Sequence, residues 1–239
     1  MKKPIVTFSA AACLLLVGCS TRSISNSGYN AGYRYGSPGD YAGELSEFDV
    51  LGVDSAGTVT DAEILGALDT KTPARLARSS RVLLIQSGAD FPDNPMQEAL
   101  GARYTVGPFS GKPRAPKDAT ASYSRSLRLA AARGGYDKIL CYWGVLESTR
   151  TGKITKGVSW VPIVGYFVPD ETQSMRIRLK AVLIDTATGN WVMIQPEPVT
   201  DKQLSSIVSR ESSDQGLVER LKAQGYRSLV SVLTSAYAD

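Results

Sequence analysis

The chemistry open to this chain is bounded first by a gap: its 239 residues include no histidine. Ser-His-Asp and Cys-His nucleophilic catalysis and the histidine-containing zinc sites are therefore excluded. Carboxylate chemistry remains, with Asp90, Asp93 and Asp137 as its candidates, together with Ser-Lys chemistry. Each of these acids stands singly in a loop, where an Asp most often forms a turn or caps a helix. A His-independent hydrolase is thus the minor expectation and a non-enzymatic protein the major one. No cofactor or metal is expected. Cys141 lies in the apolar run Ile139-Leu140-Cys141-Tyr142-Trp143 and reads as a buried small hydrophobe, not a nucleophile.

Charge offers a second kind of chemistry. Between Met175 and Asp185, Arg176, Arg178 and Lys180 alternate with Ile177, Leu179 and Ala181. Alternation in a strand sends successive side chains to opposite faces, so the three cations share one face. That face is either a solvated surface, the favoured reading, or a contact for a polyanion. A third candidate is the apolar segment from Val158 to Pro169, which carries Trp160, Tyr166 and Phe167. Pro162 argues against a central strand there, leaving a packed edge hairpin or a loop that touches membrane or partner.

The N-terminus is the most specific stretch. Lys2 and Lys3 precede an apolar run from Ala10 to Val17, too short for the ~20 residues of a membrane-spanning helix. A basic start, a short apolar core and a small-residue end are the parts of a secretory signal. Leu16-Val17-Gly18-Cys19 resembles the lipobox of bacterial lipoproteins. The resemblance implies cleavage between Gly18 and Cys19, and acylation of Cys19 as the new N-terminus. Several acyl chains at ~0.8 kcal/mol per buried CH₂ would anchor the protein stably, where one alone binds reversibly. Ser20 after the cysteine favours the outer membrane over inner-membrane retention, with the protein facing the periplasm.

Removal of residues 1–18 leaves 25 basic against 23 acidic residues, a net of +2, so a general nucleic-acid reading loses its support. Cys13 is removed and Cys19 acylated, so Cys141 has no intramolecular disulfide partner. The remaining charge is uneven. Eight acids and no Lys or Arg lie between Tyr35 and Thr70, whereas residues 71–239 hold 23 basic and 15 acidic side chains. Such asymmetry marks a partner surface, or else the acidic arm packs on the basic body.

The elements follow from pattern. Residues 19–43, rich in Ser, Gly, Tyr and Asn, read as a flexible tether. Residues 44–79 read as an acidic arm with a short helix, opened by a Thr60/Glu63 capping box. Residues 80–239 read as the periplasmic α/β domain. Its β-branched run Arg81–Ser87 is a buried strand, and Asn94-Pro95 starts a helix with Asn94 as its cap. Residues 103–109 form a second strand. Tyr123, Leu127, Ala130 and Ala131 mark an amphipathic helix ended by Gly134-Gly135. Lys138–Glu147 is a central strand followed by a linker through 149–152. Residues 175–185 and 191–195 form a hairpin. A last helix starts at a Ser212/Gln215 capping box and is broken at Gly225. The fold class is α/β, an α+β sandwich with a mixed sheet of about five strands and helices packed on it.

Two stretches carry a resemblance. Ala132-Arg133-Gly134-Gly135-Tyr136-Asp137-Lys138-Ile139-Leu140 and the Asp-x-x-Thr-Gly turn at Asp185-Thr186-Ala187-Thr188-Gly189 resemble landmarks of a periplasmic α/β domain group. That group includes the curli secretion-channel lipoprotein, the lipoprotein activators of penicillin-binding proteins and the TolB N-terminal domain. The resemblance implies a lipid-anchored module that binds a periplasmic or outer-membrane protein. The alternative is an oligomeric secretion or assembly subunit.

Overall fold

Two 15-residue strands form the spine of the molecule. β4 (Lys138–Gly152) and β5 (Glu171–Asp185) pair antiparallel from Lys138 opposite Asp185 to Gly152 opposite Glu171. The computed structural model describes residues 19–27, 41–53, 59–69, 73–113, 122–152, 171–205 and 210–237.

One half of this hairpin sits in the body of the sheet. β2 (Arg81–Gln86) runs parallel to β4 and to β3 (Thr105–Phe109), while β6 (Trp191–Ile194) pairs antiparallel with the end of β5. The resulting order β3-β2-β4-β5-β6 is the mixed sheet that the pattern predicts. The other half of the hairpin forms a wing. There β1 (Cys19–Ser23) lines β4 and β7 (Val199–Ser205) lines β5, both antiparallel. Among the described residues the sheet is thus seven-stranded, mixed and open.

Helices α1 (Glu47–Leu51) and α4 (Tyr123–Arg133) lie on one face, and α3 (Asn94–Gly101) and α5 (Arg210–Tyr237) on the other. Alternation in β2 divides its residues between two cores. Val82 and Leu84 join Met96, Leu100, Leu221 and Leu229, whereas Leu83 and Ile85 join Val50, Leu127 and Ala131. A strand buried on both faces reads as a continuous apolar run, which is why β2 is so plain in the sequence. Each fully buried Leu or Ile contributes ~1.5–3 kcal/mol. The acidic arm joins in: Leu45 and Val50 belong to the second core, and Leu76 to the first.

Several expectations need correction. Residues 19–27, within the expected tether, form β1 and a short 3-10 turn, with Ile24 only 1 % exposed. The polar sequence Cys-Ser-Thr-Arg-Ser has no hydrophobic period to betray it, because pairing through the backbone holds it to β4. Residues 28–40 of that span lie outside the described residues. The linker expected at 149–152 is the end of β4. Strand β7 is absent from the pattern altogether.

The helix expected to break at Gly225 is continuous, and it starts at Arg210, so Ser212 lies inside it and does not cap it. A Cβ at Gly225 would come within 3.0 Å of Leu179 and 3.2 Å of Ile177. The glycine therefore lets α5 approach β5, and is no breaker. Asp93 replaces Asn94 as the cap position of α3, and its carboxylate is committed elsewhere. Ala130 of α4 is exposed.

The Thr60/Glu63 box forms as expected. Thr60 N–H donates to Glu63 Oε2 (2.9 Å) and Glu63 N–H to Thr60 Oγ1 (3.3 Å) at the head of α2 (Asp61–Asp69).

Candidate functional site

Cys19 opens β1, opposite Thr149, and the strand runs to Ser23 opposite Val145. β1 and β2 thus occupy the same side of β4, end to end, and meet where β2 finishes at Gln86 opposite Tyr142. A polar lock closes the junction. The Ser25 hydroxyl donates to the Ser87 carbonyl (2.5 Å), and Gln86 Nε2 donates to Ser25 Oγ (3.1 Å). Ser23 and Tyr41 both donate to Glu44 Oε1, while Leu45 N–H donates to Ser87 Oγ (2.7 Å).

The lock continues into the core. The Tyr142 hydroxyl donates to Gln86 Oε1 (2.6 Å), which also accepts from Asp93 N–H (2.8 Å). Tyr226 of α5 donates to Asp93 Oδ2 (2.5 Å), and Lys222 reaches the same oxygen at 2.9 Å. The Tyr142 and Tyr226 rings meet edge to face at 5.6 Å. Burial, before any neighbouring charge, pushes both phenols well up, so both stay protonated as donors. This network ties the N-terminal strand to the far helix through partners that buried polar groups require.

The three acids picked out as chemical candidates are all engaged. Asp93 is held by Tyr226 and Lys222, and Asp90 by Lys112 at 2.7 Å. Asp137 accepts from Arg81 N–H (2.6 Å) and lies 3.3 Å from Lys138. Lys138 also binds Asp185 (2.9 Å), so it joins the two stretches that carry the family resemblance. Asp185 Oδ1 accepts from Thr188 N–H (2.8 Å) and Thr188 Oγ1 (3.0 Å), which builds the Asp-x-x-Thr-Gly turn. Burial pushes both carboxyls up, but hydrogen bonds from Arg81, Thr188 and Lys138 outweigh it and leave both below their ordinary values. Cys141 is fully buried; burial first, then the Glu44 charge, pushes its thiol well up.

The cation stripe does lie on one face, but it is internally paired. Arg176 and Arg178 share Glu147 of β4, Arg178 at 2.7 Å. Lys180 binds Glu47 of α1 and stands 5.8 Å from the Trp143 ring centroid. Glu47 belongs to the acidic arm, whose charge therefore meets the basic body here. Trp143 Nε1 donates to the Leu45 carbonyl (2.9 Å) and pins the arm at the same place. Gly18, Trp160, Tyr166 and Phe167 lie outside the described residues.

Among the described residues, α2 carries a run of exposed apolar side chains. None of the residues of α2 is buried, and Ile64, Leu65 and Leu68 are 50 %, 62 % and 59 % exposed. Asp61, Glu63 and Asp69 stand among them. The capping box marks this helix in the sequence, but nothing there shows that it stands clear of the core, since Ile64, Leu65 and Leu68 look like core residues. Among the described residues no helix is long and apolar enough to cross a membrane.

No curated protein sequence matches the chain. Solved structures similar to it include a PelC dodecamer from Paraburkholderia phytofirmans, at 17 % identity and a TM-score of 0.30, covering 66 % of this chain and 94 % of that one. The hypothetical protein CT253 from Chlamydia trachomatis is 13 % identical with a TM-score of 0.27, covering 64 % and 94 %. Lipoprotein GNA1162 from Neisseria meningitidis is 14 % identical with a TM-score of 0.22, covering 61 % and 96 %. The family model of the YafT bacterial lipoproteins matches residues 46–236, most of the chain, and the protein therefore belongs to the YafT bacterial lipoprotein family.

Proposed function

We propose that this lipoprotein is held at the outer membrane by acyl chains on Cys19, faces the periplasm, and acts there as a non-enzymatic protein-binding module. The observation that carries the anchoring is the lipobox-like Leu16-Val17-Gly18-Cys19, which ends on the first residue of the sheet. Binding is supported by α2. A short helix with an apolar stripe and acidic neighbours suits an apolar groove with a basic rim on an envelope protein, the helix-in-groove mode. Its charge disfavours an anionic bilayer as the occupant. The engagement of Asp90, Asp93 and Asp137 in ion pairs favours a binding role over hydrolysis.

A photo-crosslinking amino acid in place of Leu65, in the full chain in cells, tests the reading. The expected result is an adduct with one envelope protein, lost when Ile64 and Leu68 are changed to Ser. Absence of any adduct from a folded, anchored chain would overturn it. An adduct between two copies of the chain would favour the oligomeric assembly subunit instead.

A further inference from the structure

The acylation site and one end of the sheet are inseparable in this fold. Cys19 stands opposite Thr149, three residues before β4 ends at Gly152. At the same end Gly152 pairs with Glu171, and Glu171 pairs with Ser205 of β7. The ends of β1, β4, β5 and β7 therefore form one rim, which reaches about 10 Å past Cys19 along the strand direction at ~3.3 Å per residue and about 14 Å to its side at ~4.8 Å per strand. The other end of β5, at Asp185 and the turn after it, lies about 45 Å away by the same rise.

We infer that this rim is the part of the domain that meets the headgroup layer of the membrane holding Cys19, with the long hairpin standing away from the bilayer. This rests on acylation of Cys19 as proposed above. A lipidated residue at the end of a long coil leaves its domain free to turn, but Cys19 is itself a strand residue. The headgroup region adds roughly 10–15 Å in total to the ~30 Å hydrocarbon core, or about 5–8 Å per leaflet. Because β4, β5 and β7 extend only about 10 Å past the level of Cys19, an upright sheet places their ends at that layer.

The residue types at the rim fit this neighbour. Positions 149–152, 171–173 and 203–205 are Thr, Arg, Thr, Gly, Glu, Thr, Gln, Gln, Leu and Ser, with one cation against one anion and no net charge. Eight of these ten positions carry no charge, and polar, uncharged groups exchange water for headgroup hydrogen bonds at little cost. The far end is different in kind, with Asp137, Lys138, Asp185 and Arg128 clustered about the turn.

The test uses the full, processed chain in vesicles of phosphatidylethanolamine and phosphatidylglycerol. A fluorescent amino acid replaces Thr172 or Gln203 at the rim, or Ala187 at the far turn, and a headgroup nitroxide lipid serves as quencher. Loss of fluorescence at positions 172 and 203, with none at 187, is expected. Equal quenching at both ends, or quenching at 187 alone, would overturn the orientation. The mass of the N-terminal peptide and flotation of the same samples separate the two claims. An unacylated chain that fails to float overturns the anchoring and the orientation together. An acylated, floating chain without rim quenching overturns the orientation alone.

Discussion

Ile24 occupies the space that a side chain at Gly144 would need: a Cβ built on Gly144 would stand 3.0 Å from Ile24 Cγ2 and 2.5 Å from Leu179 Cδ2. The isoleucine is 1 % exposed and follows directly on β1, so it fastens the N-terminal strand to the core of the domain. Ile24→Ala should lower unfolding stability by about 2–4 kcal/mol, as for other buried large-to-small changes. Urea denaturation of the chain lacking residues 1–18 measures this. An unchanged midpoint would mean that residues 19–27 are not part of the folded unit.

Asp93 is the hinge of the internal polar lock. Asp93→Ala would leave Lys222, whose side chain is 10 % exposed, without its carboxylate, and would strip Tyr226 of its acceptor. A loss of about 2–4 kcal/mol is expected, because an orphaned buried charge costs more than the pair contributes. Changing Asp93 and Lys222 together to Ala and Met should recover part of that loss. A double-mutant cycle with no coupling would contradict the arrangement.

Acid should act through Asp137 and Asp185. Both carboxyls lie below the ordinary 3.8 in the folded protein. Their contribution is therefore complete above 3.8 and is lost as pH falls below it through the folded values. Lys138→Met should flatten this part of the stability–pH curve, since Lys138 serves both acids. Denaturant midpoints measured from pH 6 down to pH 2 would show an unchanged slope if the lysine were not involved.

The paired cation stripe leads to an expectation of little effect. Arg176 and Arg178 are each 49 % exposed at the side chain, and Glu147 serves both. Exposed ion pairs contribute only ~0–1 kcal/mol. Arg176→Gln with Arg178→Gln should shift stability by less than about 1 kcal/mol and leave membrane retention unchanged. Loss of retention in fractionated cells would favour the polyanion-contact reading of this face.

Which of these features could be read from the sequence depends on how each is held together. β2, β4 and β5 declare themselves because apolar side chains facing the cores leave a period in the sequence, and Cys141 is legible as core for the same reason. β1 and β7 do not. Their residues, such as Thr21, Arg22, Asp201 and Lys202, are polar, and both strands lie at the outside of the wing, where backbone pairing supplies the hold. Lys222 reads as a solvent-facing charge interrupting an apolar helix, yet it is only 8 % exposed. Its partner Asp93 lies more than a hundred positions away, and no local signal joins them. Gly225 misleads in the opposite way: close approach to Leu179 requires it, and a helix break would need the same residue.

The anchor proposed for this protein is a lipid on Cys19, the residue that opens β1. Mass spectrometry of the N-terminal peptide, together with membrane fractionation of the wild-type chain and Cys19→Ser, tests it directly. A lipid anchor on Cys19 predicts an acylated peptide starting at Cys19 in the membrane fraction, and an unacylated Cys19→Ser chain that is not retained there through a lipid. An unmodified Cys19 in the wild type, or full membrane retention of Cys19→Ser, would contradict it.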